Sequence, residues 1–192
     1  IVTRDEERNK VIEDYTRKEF ALYDSGSTKV EDFAKISSFW GRLANADGTI
    51  NSSYGFLATV DKSCGVGDSM ITPWEWVVQT LERDKDSRQA VLKIHKRSHL
   101  VEGTLDQPCT LHLLFSIRGD ALSATTVMRS NDLVRGLVYD MPYFILLQER
   151  MVDCLRQSYP SLRIGRYSHF SHNSHIYEKD IPAALRMAGH RN

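Results

Sequence analysis

The spacing of apolar positions changes several times along the chain, and each change marks an element. Within the charged segment 5–24, Val11, Ile12, Tyr15, Phe20, Leu22 and Tyr23 predict an amphipathic helix closed by Ser25-Gly26-Ser27. A second helical stretch is predicted over about 29–39, then a loop over 41–53 turning at Ala46-Asp47-Gly48. Residues 61–69, rich in Gly, Ser and Asp, read as an exposed loop. Thr72-Pro73-Trp74-Glu75 predicts a helix start, because Thr72 can cap, Pro73 suits the first helical position and Glu75 completes a capping box. That helix is expected to run to about Asp84.

Strand patterns dominate next. Residues 89–96 carry β-branched and apolar positions, and Thr110–Ile117 and Leu122–Met128 flank Arg118-Gly119-Asp120, a hairpin signal. Asp140–Ser158 reads as a helix, with Asp140 or Tyr139 near its start and Pro142 in its first turn. Phe144, Leu147, Met151 and Leu155 give it a core face. A strand is expected near 162–170 and another over 174–178. The fold class expected is α+β, one domain over 1–192, with a mixed β-sheet packed by helices.

Composition narrows the class. The 192 residues are 41% hydrophobic, enough for a core, and Lys plus Arg (25) balances Asp plus Glu (25). Net charge therefore gives no pull toward nucleic acid or membrane, and an anionic ligand needs a local basic cluster. Cys64, Cys109 and Cys154 are widely spaced, which argues against a disulfide framework or a zinc ribbon. A reducing cytoplasm is the simplest compartment. No apolar run has the length of a membrane span, and Ile1-Val2-Thr3-Arg4 opens no signal peptide; it also lacks Met, as a trimmed chain does. His169, His172 and His175 suggest a metal site, but a spacing of three along a strand puts neighbours on opposite faces, so no metal is expected.

Cys109 follows Pro108 and opens a predicted strand, and Arg129 stands 20 residues later on the partner strand. If the strands pair as a hairpin, both fall at the same open end. An Arg beside a thiol favours the thiolate, which is the nucleophile. A small buried apolar Cys and a surface Arg are the alternatives.

Several blocks together resemble the thymidylate synthase family. Pro108-Cys109 is followed by the hairpin and then Arg129-Ser130-Asn131-Asp132-Leu133-Val134-Arg135-Gly136. Glu19-Phe20-Ala21-Leu22-Tyr23-Asp24-Ser25-Gly26 resembles the family's glutamate-bearing helix. Trp40, then Gly48-Thr49-Ile50-Asn51-Ser52-Ser53-Tyr54-Gly55, resembles the segment that ends in its Tyr-Gly pair. Asp86-Ser87-Arg88 and His175-Ile176-Tyr177 resemble two further motifs, so the match spans roughly 10–180. Within the family the chain is most similar to the branch that hydroxymethylates deoxycytidylate. There Asp140 stands where the synthases carry Asn. An amide suits uracil, which offers O4 as acceptor and N3–H as donor. A carboxyl accepts from the 4-amino group of cytosine and, when protonated, donates to N3. Read without the family, Asp140 is a helix N-cap.

The resemblance implies a folate-dependent enzyme that adds a one-carbon unit to C5 of a pyrimidine nucleoside monophosphate, using 5,10-methylenetetrahydrofolate. It implies Cys109 as the covalent nucleophile, Glu19 as a relay for protons and waters, and Tyr54 near the C5 proton. Arg129 and Ser130 would hold the 5′-phosphate, with Arg88 reaching it from the other subunit of a homodimer that pairs through a sheet face. Asp132 would help order the base pocket through its hydrogen bonds, Asn131 would also contact the substrate, and His175 and Tyr177 would bind the sugar hydroxyl. Gln89 stands where the family has a second arginine, only 18 residues precede Glu19, and 15 follow Tyr177, so the family's arginine loop is expected to be missing and its closing tail absent or unlike. Open alternatives are a CMP 5-hydroxymethylase, a dUMP-directed enzyme, and an inactive homologue that binds nucleotide or RNA. Nucleic acid and membrane partners are not expected.

Overall fold

The structure is a computed structural model and describes residues 3–190, so the reading of Ile1 and Val2 lies outside the described residues. Helix α1 (Glu6–Asp24) begins where Asp5 accepts the Arg8 amide through its side chain. Its buried stripe is Ile12, Thr16, Glu19 and Tyr23, at helical spacing, so a carboxyl occupies a core-facing position, while Val11 points to solvent. The second helix is shorter than expected: α2 covers Val30–Ala34, and a separate 3-10 turn covers Ser38–Arg42. A third helix, α3 (Tyr54–Thr59), opens at Tyr54, inside a stretch that carried no helix signal.

The expected loop over 61–69 is corrected. Strands β1 (Cys64–Val66) and β2 (Ser69–Ile71) form a small hairpin there, its two-residue turn made possible by Gly67 at φ 57. Helix α4 (Pro73–Arg83) has the predicted capping box: Thr72 Oγ1 accepts the Glu75 amide at 3.1 Å, and the Thr72 amide donates to Glu75 Oε2 at 2.8 Å. Strand β3 (Val91–Lys93) is only the middle of the expected run over 89–96.

The main sheet has the order β3-β4-β5-β6. Strands β4 (Thr110–Arg118) and β5 (Ala121–Asp132) form the expected antiparallel hairpin. The expected start of the long helix is also corrected. Asp132 Oδ1 accepts the amides of Val134 and Arg135 and winds the chain directly into α5 (Leu137–Leu155). The helix therefore starts three residues before Asp140, which lies in its first turn and is not an N-cap. Pro142 sits inside it. The two short strands expected near 162–170 and 174–178 are one strand, β6 (Arg163–His175), parallel to β5. The pairing shifts register between Leu122 and Ala124, where buried Gln148 of α5 donates to the Leu122 carbonyl at 2.8 Å. A short helix, α6 (Ile181–Met187), follows.

Helices α4 and α5 pack on one face of this mixed sheet, with α1 and α3 against them. Leu113, Phe115, Ile117, Leu122, Ala124 and Met128 point into that core and meet Val77, Leu81, Phe144, Leu147 and Met151. The alternate residues face the other way, where among the described residues no helix covers them. Leu114 is 39% and Phe170 55% exposed there. Among the described residues no helix is long and apolar enough to cross a membrane.

Candidate active site

Three chain segments meet at one end of the sheet. The start of β4 lies beside the end of β5 through Thr110↔Met128, and the end of β5 lies beside the end of β6 through Asp132↔His175. Cys109 sits at this end, half-buried. Its carbonyl accepts the Arg129 amide at 2.9 Å. The Arg129 guanidinium donates to the carbonyls of Pro108 (3.2 Å) and Gln107 (2.7 Å), so it clamps the segment that carries the thiol. Burial pushes the Cys109 thiol up, Arg129 pulls it down, and Asp140 and Asp106 push it up again. In the isolated chain burial wins, and further positive charge at the site favours the thiolate.

Asp106 was not singled out by sequence reasoning. Its buried carboxylate accepts the amides of Asn51 (2.7 Å) and Ser52 (2.8 Å) and the Ser52 hydroxyl. This cradle ties the segment leading to Tyr54 to the segment leading to Cys109. Its partners are 54 and 55 residues away in sequence, so no local pattern announces it.

Behind the thiol lies a set of buried acids and phenols. Tyr54 is the first residue of α3, and burial, then Asp140 and Cys109, holds its phenol well above the ordinary value. Glu19 accepts from the Tyr15 hydroxyl at 3.3 Å and the Tyr23 hydroxyl at 3.4 Å, and Trp40 Nε1 donates to Tyr15 at 3.2 Å. Desolvation, reinforced by Asp140, raises Glu19 to about 8. Desolvation likewise raises Asp140 to about 7, against the hydrogen bond it accepts from Asn131 Nδ2. Helix α3 can approach α1 this closely because residue 55 is glycine: a Cβ there would stand 1.9 Å from the Tyr23 carbonyl oxygen.

The other expected residues are placed as follows. Ser130 lies on β5 opposite Asn173, and Asp132 holds the turn into α5. His175 ends β6, with its ring 5.2 Å from that of Tyr177, which is 53% exposed. Arg88 is the outlier. It precedes the Val91 end of β3, whereas Cys109 lies beyond the Lys93–His112 end, so the two are at opposite ends of the pairing within one chain. His169 bonds Tyr167 at 2.9 Å, and the described residues hold no cluster of His, Cys, Asp or Glu placed to bind a metal.

A four-stranded mixed sheet with helices on one face, and with a thiol, an arginine and two protonatable carboxyls gathered at one end, places the molecule among the thymidylate synthase-like α+β proteins. The solved structure of thermostable thymidylate synthase A from Bacillus subtilis has this fold, with a TM-score of 0.74 over 92% of this chain and 62% of its own, at 18% identity. The family model for thymidylate synthase matches residues 8–190, and the chain belongs to that family. The deoxycytidylate 5-hydroxymethyltransferase of Enterobacteria phage T6 is 25% identical over 78% of this chain and 60% of its own length. The thymidylate synthase of Lactococcus lactis subsp. cremoris is 24% identical over 78% of this chain and 50% of its own. The chain thus spans between half and three fifths of the length of these relatives.

Proposed function

We propose that this chain converts a cytidine monophosphate, with dCMP favoured, to its 5-hydroxymethyl derivative. The observation that carries the choice of base is Asp140, a desolvated carboxyl with a pKa of about 7, held by Asn131. A carboxyl near half-protonation can accept from the 4-amino group and donate to N3 of cytosine.

Attack of the Cys109 thiolate on C6 forms the S–C6 bond and moves the displaced electron pair to C5, which becomes nucleophilic. C5 would bond the methylene carbon that methylenetetrahydrofolate supplies at the oxidation level of formaldehyde, and loss of the C5 proton with cleavage of that carbon's bond to the folate nitrogen would release tetrahydrofolate and leave an exocyclic methylene. Tyr54 stands by the C5 proton and Glu19 passes protons through ordered water. Water adds to the exocyclic carbon, and the S–C6 bond breaks to free the thiolate. Around Glu19, Tyr15 and Tyr139 pack with rings 4.5 Å apart and buried Trp40 donates to Tyr15, beside a carboxyl that holds a proton at neutral pH and would meet the folate through ordered water. Arg129 and Ser130 would take the phosphate, His175 and Tyr177 the sugar, and Asp132 would keep the turn under the base.

The chain is read as one half of a cytoplasmic homodimer. The uncovered sheet face with Leu114 and Phe170 supplies the pairing surface, and the distance of Arg88 from its own Cys109 fits a role toward the partner's site. The test is tritium release from C5-labelled dCMP, CMP and dUMP with methylenetetrahydrofolate, with mass analysis of the product. Release from dCMP with a hydroxymethyl product is expected. Release from dUMP alone overturns the reading of Asp140, and no release from any of the three overturns the activity.

A further inference from the structure

Helix α1 carries two tyrosines to which the resemblance attaches no role. Tyr15, Glu19 and Tyr23 stand at successive intervals of 4 residues, one turn apart, so a phenol lies on either side of the carboxyl along the helix axis. Both hydroxyls donate to the same oxygen, Glu19 Oε1, at 3.3 Å from Tyr15 and 3.4 Å from Tyr23. Neither ring is a free rotor. Tyr23 is 2% exposed and packs against Phe33, Tyr54 and Tyr143, with ring centroids 5.8, 5.6 and 4.7 Å away. The Tyr15 ring lies against Tyr139, and its hydroxyl accepts from Trp40 Nε1 at 3.2 Å. An indole N–H only donates, so the Trp40 bond occupies a lone pair of the Tyr15 oxygen and leaves its hydrogen for Glu19. The relay from Trp40 to Tyr15 to Glu19 therefore has one direction. Burial holds both phenols well above their ordinary value, so they keep that hydrogen at neutral pH.

Glu19 Oε2, by contrast, bonds no protein atom among the described residues, and it is not sealed from solvent. With both lone pairs of Oε1 taken by phenols, the proton of the neutral acid belongs on Oε2. The other titratable groups that bear on Glu19 are Asp140, Tyr139 and Tyr143, all on α5, and among the described residues no basic side chain offsets them. We propose that Tyr15 and Tyr23 are positioning residues for Glu19: they pin Oε1 and leave Oε2 as the oxygen that exchanges protons with water in the site. This deepens the functional reading above and rests on it for what the proton serves. A carboxyl has two equivalent oxygens, and the pair of phenols makes this one one-sided, so the proton leaves and returns at a single atom.

The test follows Glu19 itself as well as turnover. The carboxyl of isotope-labelled Glu19, assigned by its loss in Glu19→Gln, is titrated by NMR in the wild type, Tyr15→Phe, Tyr23→Phe and Tyr159→Phe. The Tyr159 hydroxyl donates to the Leu81 carbonyl at 2.6 Å, so its variant loses a hydrogen bond but no contact with Glu19 and is the control for stability. A phenol bond favours the ionised carboxyl, so each of the first two substitutions should raise the Glu19 pKa by about half a pH unit. Tyr159→Phe should leave it unchanged. In Tyr15→Phe and Tyr23→Phe, kcat for C5 tritium release from dCMP should fall on the order of tenfold, with KM within about twofold of the wild type. The pH–rate profile should move to the alkaline side by the same step as the titration. A Glu19 titration that stays put in Tyr15→Phe or in Tyr23→Phe, or that moves as far in Tyr159→Phe, overturns the clamp. So does a shifted titration with wild-type kcat and pH profile, because Oε2 would then need no pinning. The expected titration shifts in a protein that releases no tritium, even unsubstituted, would keep the clamp and overturn the functional reading instead.

Discussion

Asn131 Nδ2 lies 2.7 Å from Asp140 Oδ2, joining the last residues of β5 to the first turn of α5. The bond favours the ionised carboxyl, yet desolvation outweighs it and leaves Asp140 near 7. Asp140 in turn helps raise Glu19 on α1 to about 8. The two acids, more than a hundred residues apart, therefore titrate as neighbours.

Asp140→Asn should shift base preference. The amide cannot present the carboxyl's pattern to cytosine, so the ratio of turnover on dCMP to that on dUMP should fall on the order of tenfold or more. It should also lower the Glu19 pKa by removing a neighbouring charge, visible as an acid shift of the pH–rate profile. An unchanged ratio would mean that Asp140 only orders the helix start.

Stability should fall as pH rises through neutrality. The unfolded chain releases these protons near 3.8 for Asp140 and 4.5 for Glu19, whereas the folded chain holds them to about 7 and 8. Between those limits the folded state binds more protons, so unfolding becomes easier with rising pH, by up to about 1.4 kcal/mol per pH unit for each group. Above about 8 the effect levels off. Thermal melts from pH 5 to 9 should show this slope, reduced in Asp140→Asn; a melting temperature that rises over the range would contradict the two shifts.

Cys109→Ser should abolish turnover while nucleotide affinity stays within a few-fold of the wild type. The side chain is half-buried and similar in size, so the melting temperature should change little. Tritium release and calorimetry on one preparation separate the outcomes, and residual turnover near wild type would remove the covalent step.

Asp106→Ala should cost about 3 kcal/mol, because it strands two buried amides and a hydroxyl that the carboxylate now accepts. The loss should appear in urea melts together with faster alkylation of Cys109, since the variant removes a charge that pushes the thiol up and loosens the segment before it. Wild-type stability in this variant would show that the cradle is dispensable.

Elements with a chemical signal at their own ends were legible in the sequence. The capping box at Thr72 and Glu75 fixes α4, and Gly119 fixes the hairpin that brings Cys109 and Arg129 together. The elements misread are those set by distant partners. Strand β6 is continuous because β5 supplies a parallel template along its length, despite Gly165 and a run of polar residues. The start of α5 is set by Asp132 bonds rather than by Pro142, and the β1–β2 hairpin has strands too short to show alternation. The acids follow the same rule. Glu19 occupies a core position of a legible helix, but its pKa comes from α5, and Asp106 acts on a segment that no helical or strand period connects to it.

Gly55 touches no substrate under any reading given above, yet the clearance between Tyr54 and the helix of Glu19 depends on the atoms it does not have. Even a methyl group would overlap the Tyr23 carbonyl and force α3 away from α1, widening the gap between the phenol and the acid. Part of the reactive geometry is thus written as empty volume, and a survey that scores residues by the functional groups they carry would pass over the position that sets the distance.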